Sequence, residues 1–485
     1  MNSMQPGADS AEAPLRHRTA TALLVAVVFF METLDATVIT TALPAMAQDF
    51  GVAAARLSAG VSAYLVALTI FIPLSGWIAD RFGPRRVFAA AIIVFTLASL
   101  LCALSTGLVS FTLARILQGI GGAMMVPVGR LVVMRDTPKD QLVKTVAIFT
   151  WPALFGPILG PVVGGWITTH WSWHWIFLLN LPVGLLALTA ALLLIRPHRH
   201  PVGHFDLRGF LLCAAGIGLL MVGVETASHG QGMVMVALAG VAGGIVLLLL
   251  CALYLRHTVR PLFRLDVLTI PTFTVSVAGG SLSRIALSSV PFLLPLTFQL
   301  GFGYSPAQSG ALLLWLFAGN LAMKPATTWI MNRFGFRRVL LINSVLVALS
   351  MFAYGLLSAD TPATLIALVL FLTGMSRSMQ FTAFYTMAFA DVESAKMNDA
   401  STLFGVTQRL NSGMGIAVGA LMLTVAAAWR GSPPEMPAPE DFSLAFMLIG
   451  GLALITFLDV LRLPANAGES VLKKRRRVSV EHGVE

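Results

Sequence analysis

Long apolar runs recur along the whole chain, and they limit its possible folds more than any other feature. A bilayer core about 30 Å thick is crossed by about 20 apolar residues in an α-helix. Fourteen such runs occur in the 485 residues, of which 57% are hydrophobic and only 11% are charged. The sequence therefore predicts an all-α integral membrane protein. The predicted spans, numbered 1 to 14, are 19–44, 57–79, 86–105, 109–134, 144–168, 174–195, 208–225, 233–255, 273–300, 306–331, 338–357, 362–389, 401–428 and 442–463.

Basic residues are divided unevenly between the two sets of loops. With the amino terminus in the cytoplasm, the cytoplasmic loops and terminal segments hold 23 Lys and Arg residues, and the opposite loops hold two, Arg56 and Arg430. This asymmetry is the positive-inside pattern. We therefore expect a multi-pass protein of the inner (cytoplasmic) membrane with both termini in the cytoplasm. The net charge of +10 is then a topology signal, although the basic run at 473–477 is also suited to contact anionic lipid.

A twelve-residue segment occurs twice in the chain. Residues 77–88 and 329–340 are identical at eight of twelve positions, and the two copies follow predicted spans 2 and 10. A duplicated fold explains this repeat most simply. We therefore predict an amino-terminal six-helix half at 1–204, a two-helix insert at 205–264, a carboxy-terminal six-helix half at 265–464 and a basic cytoplasmic tail at 465–485.

Five segments, taken in order, resemble the major facilitator superfamily. They are Leu34-Asp35-x-Thr37 through Ala42-Leu43-Pro44; the turn at 76–86; Arg115-x-x-Gln118-Gly119-x-Gly121-Gly122; Gly156-Pro157-x-x-Gly160-Pro161-x-x-Gly164-Gly165; and 173–177 with Asn180-x-Pro182-x-Gly184. Within that superfamily the chain is similar to the fourteen-helix drug:proton antiporters of the EmrB/QacA type, and most of all to MdtD-type proteins. The resemblance implies two pseudo-symmetric six-helix halves plus two inserted helices, and it alone implies the direction of transport, out of the cytoplasm.

Three ionisable residues lie deep inside predicted spans 1 and 4. Glu32 and Asp35 are three residues apart, so they lie on one helix face, about 5–6 Å apart at Cβ. Because two like charges so close repel each other, the pair is a candidate proton carrier. Counting residues from the outer helix ends places Asp35 and Arg115 at the same depth, roughly 12–14 Å. The resemblance implies a role in proton coupling for both; permanent ion pairing and a structural helix tie are the alternatives.

Span 5 carries small residues at helical spacing. Gly156, Gly160 and Gly164 share one face that lets a neighbouring helix approach closely, and Pro157 and Pro161 bend the helix. The resemblance implies that this segment lies against the carboxy-terminal half and helps to seal the cavity. Ordinary close packing is the alternative.

The first copy of the repeat combines charge with a glycine. Its candidate gating residues are Asp80, Arg81, Gly83, Arg85 and Arg86. Gly83 allows a tight reversal of the chain, and the charges can make and break ion pairs as the halves rock. In the second copy Asn332 replaces the aspartate, which predicts a weaker latch there. A simple topology signal is the alternative.

Four basic residues fall inside predicted spans 9, 10, 12 and 13, and the interiors of these four spans hold no acidic residue: Arg284, Lys324, Arg377 and Arg409. Uncompensated charge at this depth should face water or a bound anion. Lys324 can reach towards the cytoplasm, but Arg284 lies too deep, roughly 16 Å from its helix end. We therefore expect a positive wall that favours anionic or zwitterionic substrates, unless Glu32 or Asp35 neutralises it across the cavity.

The remaining motifs limit the class of function. No phosphate-binding loop, H-E-x-x-H or G-x-S-x-G motif occurs, and the three cysteines fall inside predicted spans, so we expect no ATP-driven pump, no enzyme, no cofactor and no metal site. We predict a proton-coupled secondary exporter of the multidrug type, whose partners are a small-molecule substrate, protons and the bilayer, and not nucleic acid. An exporter of organic anions such as citrate is the alternative, and a transport-dead sensor or scaffold is a third hypothesis.

Overall fold

The computed structural model describes residues 15–135, 137, 142–195, 205–228, 233–259, 261–393, 396–433, 436–463 and 467–468. The predicted tail contact at 473–477 lies outside these ranges. Within them the regular structure is entirely helical. The long helices are α1 Leu15–Val38, α2 Ser58–Phe82, α3 Pro84–Ala103, α4 Leu108–Arg135, α5 Leu142–His170, α6 Asn180–Leu194, α7 Leu207–Ala227, α8 Val234–His257, α9 Pro271–Leu296, α10 Pro306–Phe334, α11 Phe336–Gly355, α12 Ala363–Ala390, α13 Met397–Arg430 and α14 Pro439–Leu461.

The number of membrane crossings is confirmed in part. In the described part of the chain, 12 helical stretches are long and apolar enough to span a bilayer. The helices α5 and α10, of 29 residues each, are not among them, and α10 carries the polar residues Gln308, Asn320 and Lys324. The two helices pack against each other, and we keep fourteen crossings as a prediction.

The repeated segment forms the same turn twice. Phe82 ends α2 and Pro84 begins α3, with Gly83 between them at φ 89°. In the second copy Gly335 separates α10 from α11 at φ 78°. These positive φ values disfavour residues with a side chain, so the glycine is the residue of the repeat that the turn itself requires.

Helix packing follows the same duplication. In the first six helices α1 packs against α5, α2 against α4, and α3 against α4 and α6. The counterparts in the last six are α9 with α13, α10 with α12, and α11 with α12 and α14. The two sets meet through two related contacts, α5 with α10 and α2 with α13. This correspondence supports the predicted halves, whose boundaries stay a prediction.

The insert lies outside one of these contacts between the halves. Helices α7 and α8 pack mainly against each other, and α7 also touches α2 and α13. Thr424 of α13 donates a hydrogen bond to the Ser228 carbonyl oxygen at the end of α7, at 3.1 Å. The insert is therefore attached to both halves along the α2–α13 contact.

One apolar core joins the two sets of helices where α1 ends. Ile39 and Ile167 from the first set and Leu293 and Leu313 from the second belong to this core. Gln299 Nε2 also donates to the Thr41 carbonyl oxygen across the two sets, at 3.0 Å. We call this the closed end of the bundle.

The opposite end, which we call the turn end, holds the turns at Gly83 and Gly335. Two apolar clusters there belong to one set each. Phe29 and Phe88 lie in a cluster of the first set, and Leu340 and Phe384 lie in a cluster of the second. The described structure therefore has a large common core at the closed end, a separate core in each set towards the turn end, and a smaller shared cluster along the α2–α13 contact that includes Val66 and Val406.

Candidate functional site

Asp35 of α1 and Arg115 of α4 form an ion pair inside the first set of helices. Arg115 Nη1 donates to Asp35 Oδ2 at 2.7 Å, and neither side chain has exposed surface. The Arg115 guanidinium also lies over the Tyr64 ring, with 4.2 Å between Cζ and the ring centroid. The two residues meet, as their equal depth along two helices leads one to expect.

Two amide side chains hold the other oxygen of Asp35. Gln118 Nε2 and Asn180 Nδ2 donate to Asp35 Oδ1 at 2.9 and 2.8 Å. Both amides also donate to Ser99 Oγ, and Arg115 Nη1 donates to Gln118 Oε1. Asp35 thus accepts three hydrogen bonds from α4 and α6. Gln118 and Asn180 lie in the motifs of the sequence, but sequence reasoning gave them no role.

Glu32 lies one helical turn from Asp35 in a different environment. It is buried, and its Oε2 atom has no hydrogen-bond partner among the described residues. A Cβ placed on Gly122 of α4 would lie 3.7 Å from Glu32 Cδ and 3.3 Å from Tyr64 Oη. Gly122 therefore leaves room beside this carboxylate, where a side chain would restrict it.

Arg409 connects Glu32 electrostatically to the second set of helices. This half-buried residue of α13 interacts through its charge with Glu32 on α1 and with Arg130 on α4. The attraction between Glu32 and Arg409 exists only while Glu32 is ionised. Protonation of Glu32 therefore changes a force that acts between the two sets of helices.

Arg284 of α9 and Arg377 of α12 share one aromatic ring. Their Cζ atoms lie 5.9 and 5.3 Å from the Phe381 ring centroid, and Arg284 also lies 4.9 Å from that of Phe404. Arg377 Nη1 donates to the Leu287 carbonyl oxygen at 3.2 Å. Arg284 Nε and Nη1 are buried without a hydrogen-bond acceptor among the described residues. The structure thus brings two of the four predicted basic residues together.

The other two basic residues have different neighbours. Lys324 is exposed, and its Nζ donates to Thr382 Oγ1 at 3.1 Å between α10 and α12. Arg409 interacts through its charge with Glu32, as described above. Of the four residues predicted to form a positive wall, Arg284 and Arg377 therefore lie together, whereas Lys324 and Arg409 have other neighbours.

The glycine strip of α5 packs against α1 and not against the second set of helices. A Cβ on Gly156, Gly160 or Gly164 would overlap Thr33 Oγ1, Thr37 Oγ1 or the Val38 carbonyl oxygen of α1. Thr37 Oγ1 donates to the Gly156 carbonyl oxygen at 3.3 Å across the same contact. We therefore correct the expectation that these three glycines face the carboxy-terminal half.

A different face of α5 makes the contact between the halves. A Cβ on Gly165 would overlap the Pro306 carbonyl oxygen of α10, and a Cβ on Gly310 would overlap the Pro161 carbonyl oxygen of α5. Among the predicted gating residues of α5, Pro161 thus lies at the contact with the other half. Residues four apart share a face, so Pro161 and Gly165 point away from the face that carries Gly160 and Gly164.

The first repeated turn is tied to its own half in this structure. Arg85 Nη2 donates to the Leu192 carbonyl oxygen at the end of α6. Arg81 lies over the Trp77 ring, with 5.4 Å between Cζ and the centroid, and Arg86 is exposed. In the second copy, Arg337 Nη2 donates to the Leu461 carbonyl oxygen at the end of α14, at 3.2 Å. The gating role of this turn, including Asp80, stays a prediction.

Comparison with known proteins identifies the family of this chain. The sequence profile of the Major Facilitator Superfamily matches residues 25–415 and 276–481. A protein of Escherichia fergusonii, provisionally named multidrug resistance protein MdtD, is 35% identical over 459 residues, which cover 94% of this chain and 97% of that protein. A protein of the same name from Shigella sonnei has the same identity and coverage. These findings confirm the resemblance inferred from the five sequence segments.

Solved transporter structures share the fold. A peptide transporter POT in complex with sulfate gives a TM-score of 0.68 at 15% identity, covering 95% of this chain and 97% of that one. A D-xylose-proton symporter gives 0.66 at 15% identity and covers 95% and 100% of the two chains. At such identities the likeness concerns the fold alone.

Proposed function

Because the chain belongs to the Major Facilitator Superfamily, we propose that it exports small molecules from the cytoplasm by alternating access in exchange for protons. Its family and relatives make it a multi-pass membrane transporter and not an enzyme. The name of its relatives supports export of the multidrug type. Proton coupling, direction and substrate class are the proposed part.

The contrast between the two carboxylates of α1 supports proton coupling best. Asp35 is held by Arg115 and two amides, whereas Glu32 has a buried oxygen without a partner among the described residues. Glu32 is the residue we assign to proton exchange, because its Oε2 atom can take or release a proton without breaking a hydrogen bond among the described residues. In this proposal the ion pair of Asp35 and Arg115 joins α1 to α4 and lies one helical turn from Glu32.

Arg409 supplies the coupling to movement in this proposal. While Glu32 is ionised, its attraction to Arg409 favours approach of α1 and α13. When a proton neutralises Glu32, that attraction is lost and the halves separate more easily on this side. Substrate binding and proton binding then compete through the relative position of the two halves, as an exchanger requires.

The charge distribution supports the proposed orientation. The turn end carries six arginines in its two repeated turns: Arg81, Arg85, Arg86, Arg333, Arg337 and Arg338. Basic loops favour the cytoplasm, so we place the turn end and both termini there. In that orientation the common core closes the path to the outside, and the substrate enters from the cytoplasm.

A second candidate function is export of organic anions. Two donor atoms of Arg284, Nε and Nη1, are buried without an acceptor among the described residues, and Arg377 lies against the same Phe381 ring. A carboxylate would supply the acceptors. The observation favours anionic or zwitterionic substrates, of which citrate-like acids are examples.

Transport into proteoliposomes tests both functions. Purified protein is reconstituted with a pH-sensitive dye inside, a proton gradient is imposed, and either a lipophilic cation such as ethidium or citrate is added. We expect substrate-dependent proton movement that a protonophore abolishes. Substrate movement that is unchanged after the gradient is collapsed would contradict proton coupling, and the substrate that moves protons distinguishes the two candidates.

A further inference from the structure

The two inserted helices, α7 and α8, run antiparallel with a fixed register. A Cβ on Gly209 of α7 would lie 3.0 Å from Leu255 Cδ2 of α8, and a Cβ on Gly216 would lie 3.1 Å from the Leu248 backbone nitrogen. Seven residues forward on α7 therefore correspond to seven residues back on α8. Since seven residues are about two helical turns, the positions one turn in from either contact also face each other.

Two cysteines occupy such facing positions. Cys213 of α7 and Cys251 of α8 are each four residues, about one helical turn, from a contact residue of their own helix, Gly209 or Leu255. Their side chains are within hydrogen-bonding distance of each other, and Cys251 Sγ also donates to the Gly209 carbonyl oxygen at 3.6 Å. Both are free thiols. We call these two side chains the thiol pair.

The surroundings of the thiol pair are apolar. Cys251 belongs to a buried cluster with Leu255 and Phe263, and Cys213 packs against the same cluster. Cys251 is 3% exposed, whereas Cys213 is partly exposed. Burial in apolar surroundings penalises charged species. A ligand suited to this pair is therefore neutral both before and after it binds, and it reaches the pair from the side of Cys213.

The thiol pair lies inside two candidate membrane spans, near the turn end. Six residues separate Cys213 from the start of α7 and Cys251 from the end of α8, about 9 Å along each helix. Phe205, just before α7, packs against Trp77 of the first repeated segment, with 5.3 Å between the ring centroids. Asp206, which interacts with Cys251 through its charge, is held by hydrogen bonds as the cap of α7. A ligand of the pair must therefore enter the bilayer.

We propose that the thiol pair binds trivalent arsenicals in which arsenic carries one apolar organic group and two hydroxyls. Such compounds are uncharged, and arsenic in this state prefers sulfur to oxygen. Each thiol replaces one hydroxyl: two S–H and two As–O bonds break, two As–S bonds form, and the protons leave with the hydroxyls as two molecules of water. Arsenic stays trivalent, so no oxidant or reductant is needed, and the product is neutral. The site does not depend on the transport function proposed above.

Phenylarsine oxide, which hydrates to such an arsenical, tests the site in the full protein. The protein in phosphatidylcholine nanodiscs is treated with one equivalent of this compound, and intact mass spectrometry and a count of free thiols follow. We expect one phenylarsenic group per chain and the loss of two thiols. The dithiol dimercaptopropanol should remove the group, whereas the same excess of mercaptoethanol should not. Absence of bound arsenic, or loss of a single thiol, would overturn the proposal.

Three variants separate a two-thiol site from one reactive cysteine. Cys251→Ala should weaken retention of the arsenical roughly a hundredfold or more, since two linked contacts gain about 10²–10⁴ over one. The double variant Cys213→Ala with Ala214→Cys keeps the number of thiols but turns one of them about 100° around α7, and it should lose as much. Cys102→Ala on α3 is the control and should retain the arsenical fully. Thermal unfolding checks that each variant is folded. Full retention by the double variant, or loss in Cys102→Ala, would show that the arsenical binds elsewhere.

Discussion

Asp35 accepts three hydrogen bonds from Arg115, Gln118 and Asn180, whereas Glu32, one turn earlier on the same helix, keeps its Oε2 atom buried without a partner among the described residues. The two carboxylates therefore differ in what their removal costs. We expect a change at Glu32 to remove the proposed proton site and little packing. Changing Asp35 also disturbs a network that joins α1, α4 and α6.

The first prediction concerns Glu32→Gln. The amide keeps the size of the side chain but cannot exchange a proton, so gradient-driven transport should be lost while the melting temperature of the purified protein changes little. Proteoliposome transport and thermal unfolding measure the two effects. Asp360→Asn in the exposed loop before α12 is the control and should transport normally. Full gradient-driven accumulation by Glu32→Gln would contradict our assignment.

The second prediction concerns Asp35→Asn. This change leaves the buried charge of Arg115 without its anion, which costs about 3–5 kcal/mol of stability in comparable buried pairs. The double variant Asp35→Asn with Arg115→Gln should recover much of this loss, because it removes both charges. Thermal or denaturant unfolding in detergent measures it. A double variant less stable than the single one would mean that the ion pair is not the main interaction.

The third prediction distinguishes the two faces of α5. Gly160→Leu places bulk against Thr37 inside one half and should lower stability by about 1–3 kcal/mol. Gly165→Leu places bulk against Pro306 of the other half and should instead hinder closure. Disulfide cross-linking between cysteines introduced at Thr41 and Gln299, which lie across the closed end, should slow in Gly165→Leu. Gly451→Leu serves as the control for both, and equal cross-linking in all three would oppose the distinction.

The fourth prediction concerns the anion preference of the second half. Arg377→Gln removes one of two cations at the Phe381 ring, and a lost charge-assisted bond weakens binding roughly ten- to a hundredfold. Transport of a carboxylate should therefore suffer far more than transport of a neutral compound. Arg462→Gln, whose side chain is 79% exposed, is the control. If only lipophilic cations compete and their affinity is unchanged in Arg377→Gln, the anion site is absent.

The sequence predicts the helices and the turns better than it predicts their orientation. The length of an apolar run identifies a membrane-spanning helix. Counting residues along two such helices is enough to predict that Asp35 lies beside Arg115. The face of α5 that meets α1 could not be predicted, because a helix that is apolar all round lacks the asymmetry from which orientation is inferred. Gly160 and Gly165 look alike in the sequence, and only the packing separates them.

Polar residues near helix ends were hardest to predict. Glu225 is the last residue of predicted span 7, where a carboxylate commonly marks the membrane boundary. Its contact with Ser58 and Ser62 depends on where the insert packs, and no local pattern encodes that position. Gln118 and Asn180 likewise gain a role only when α4 and α6 bring them to Asp35.

The apolar core shared by both halves at the closed end has a thermodynamic consequence for transport. If that end opens to water in each cycle, side chains such as Ile39 and Leu293 become hydrated, and hydration of apolar surface raises the heat capacity. The opening step should then have an enthalpy that increases with temperature. A plot of the logarithm of the transport rate against reciprocal temperature would be curved whenever this opening limits the rate.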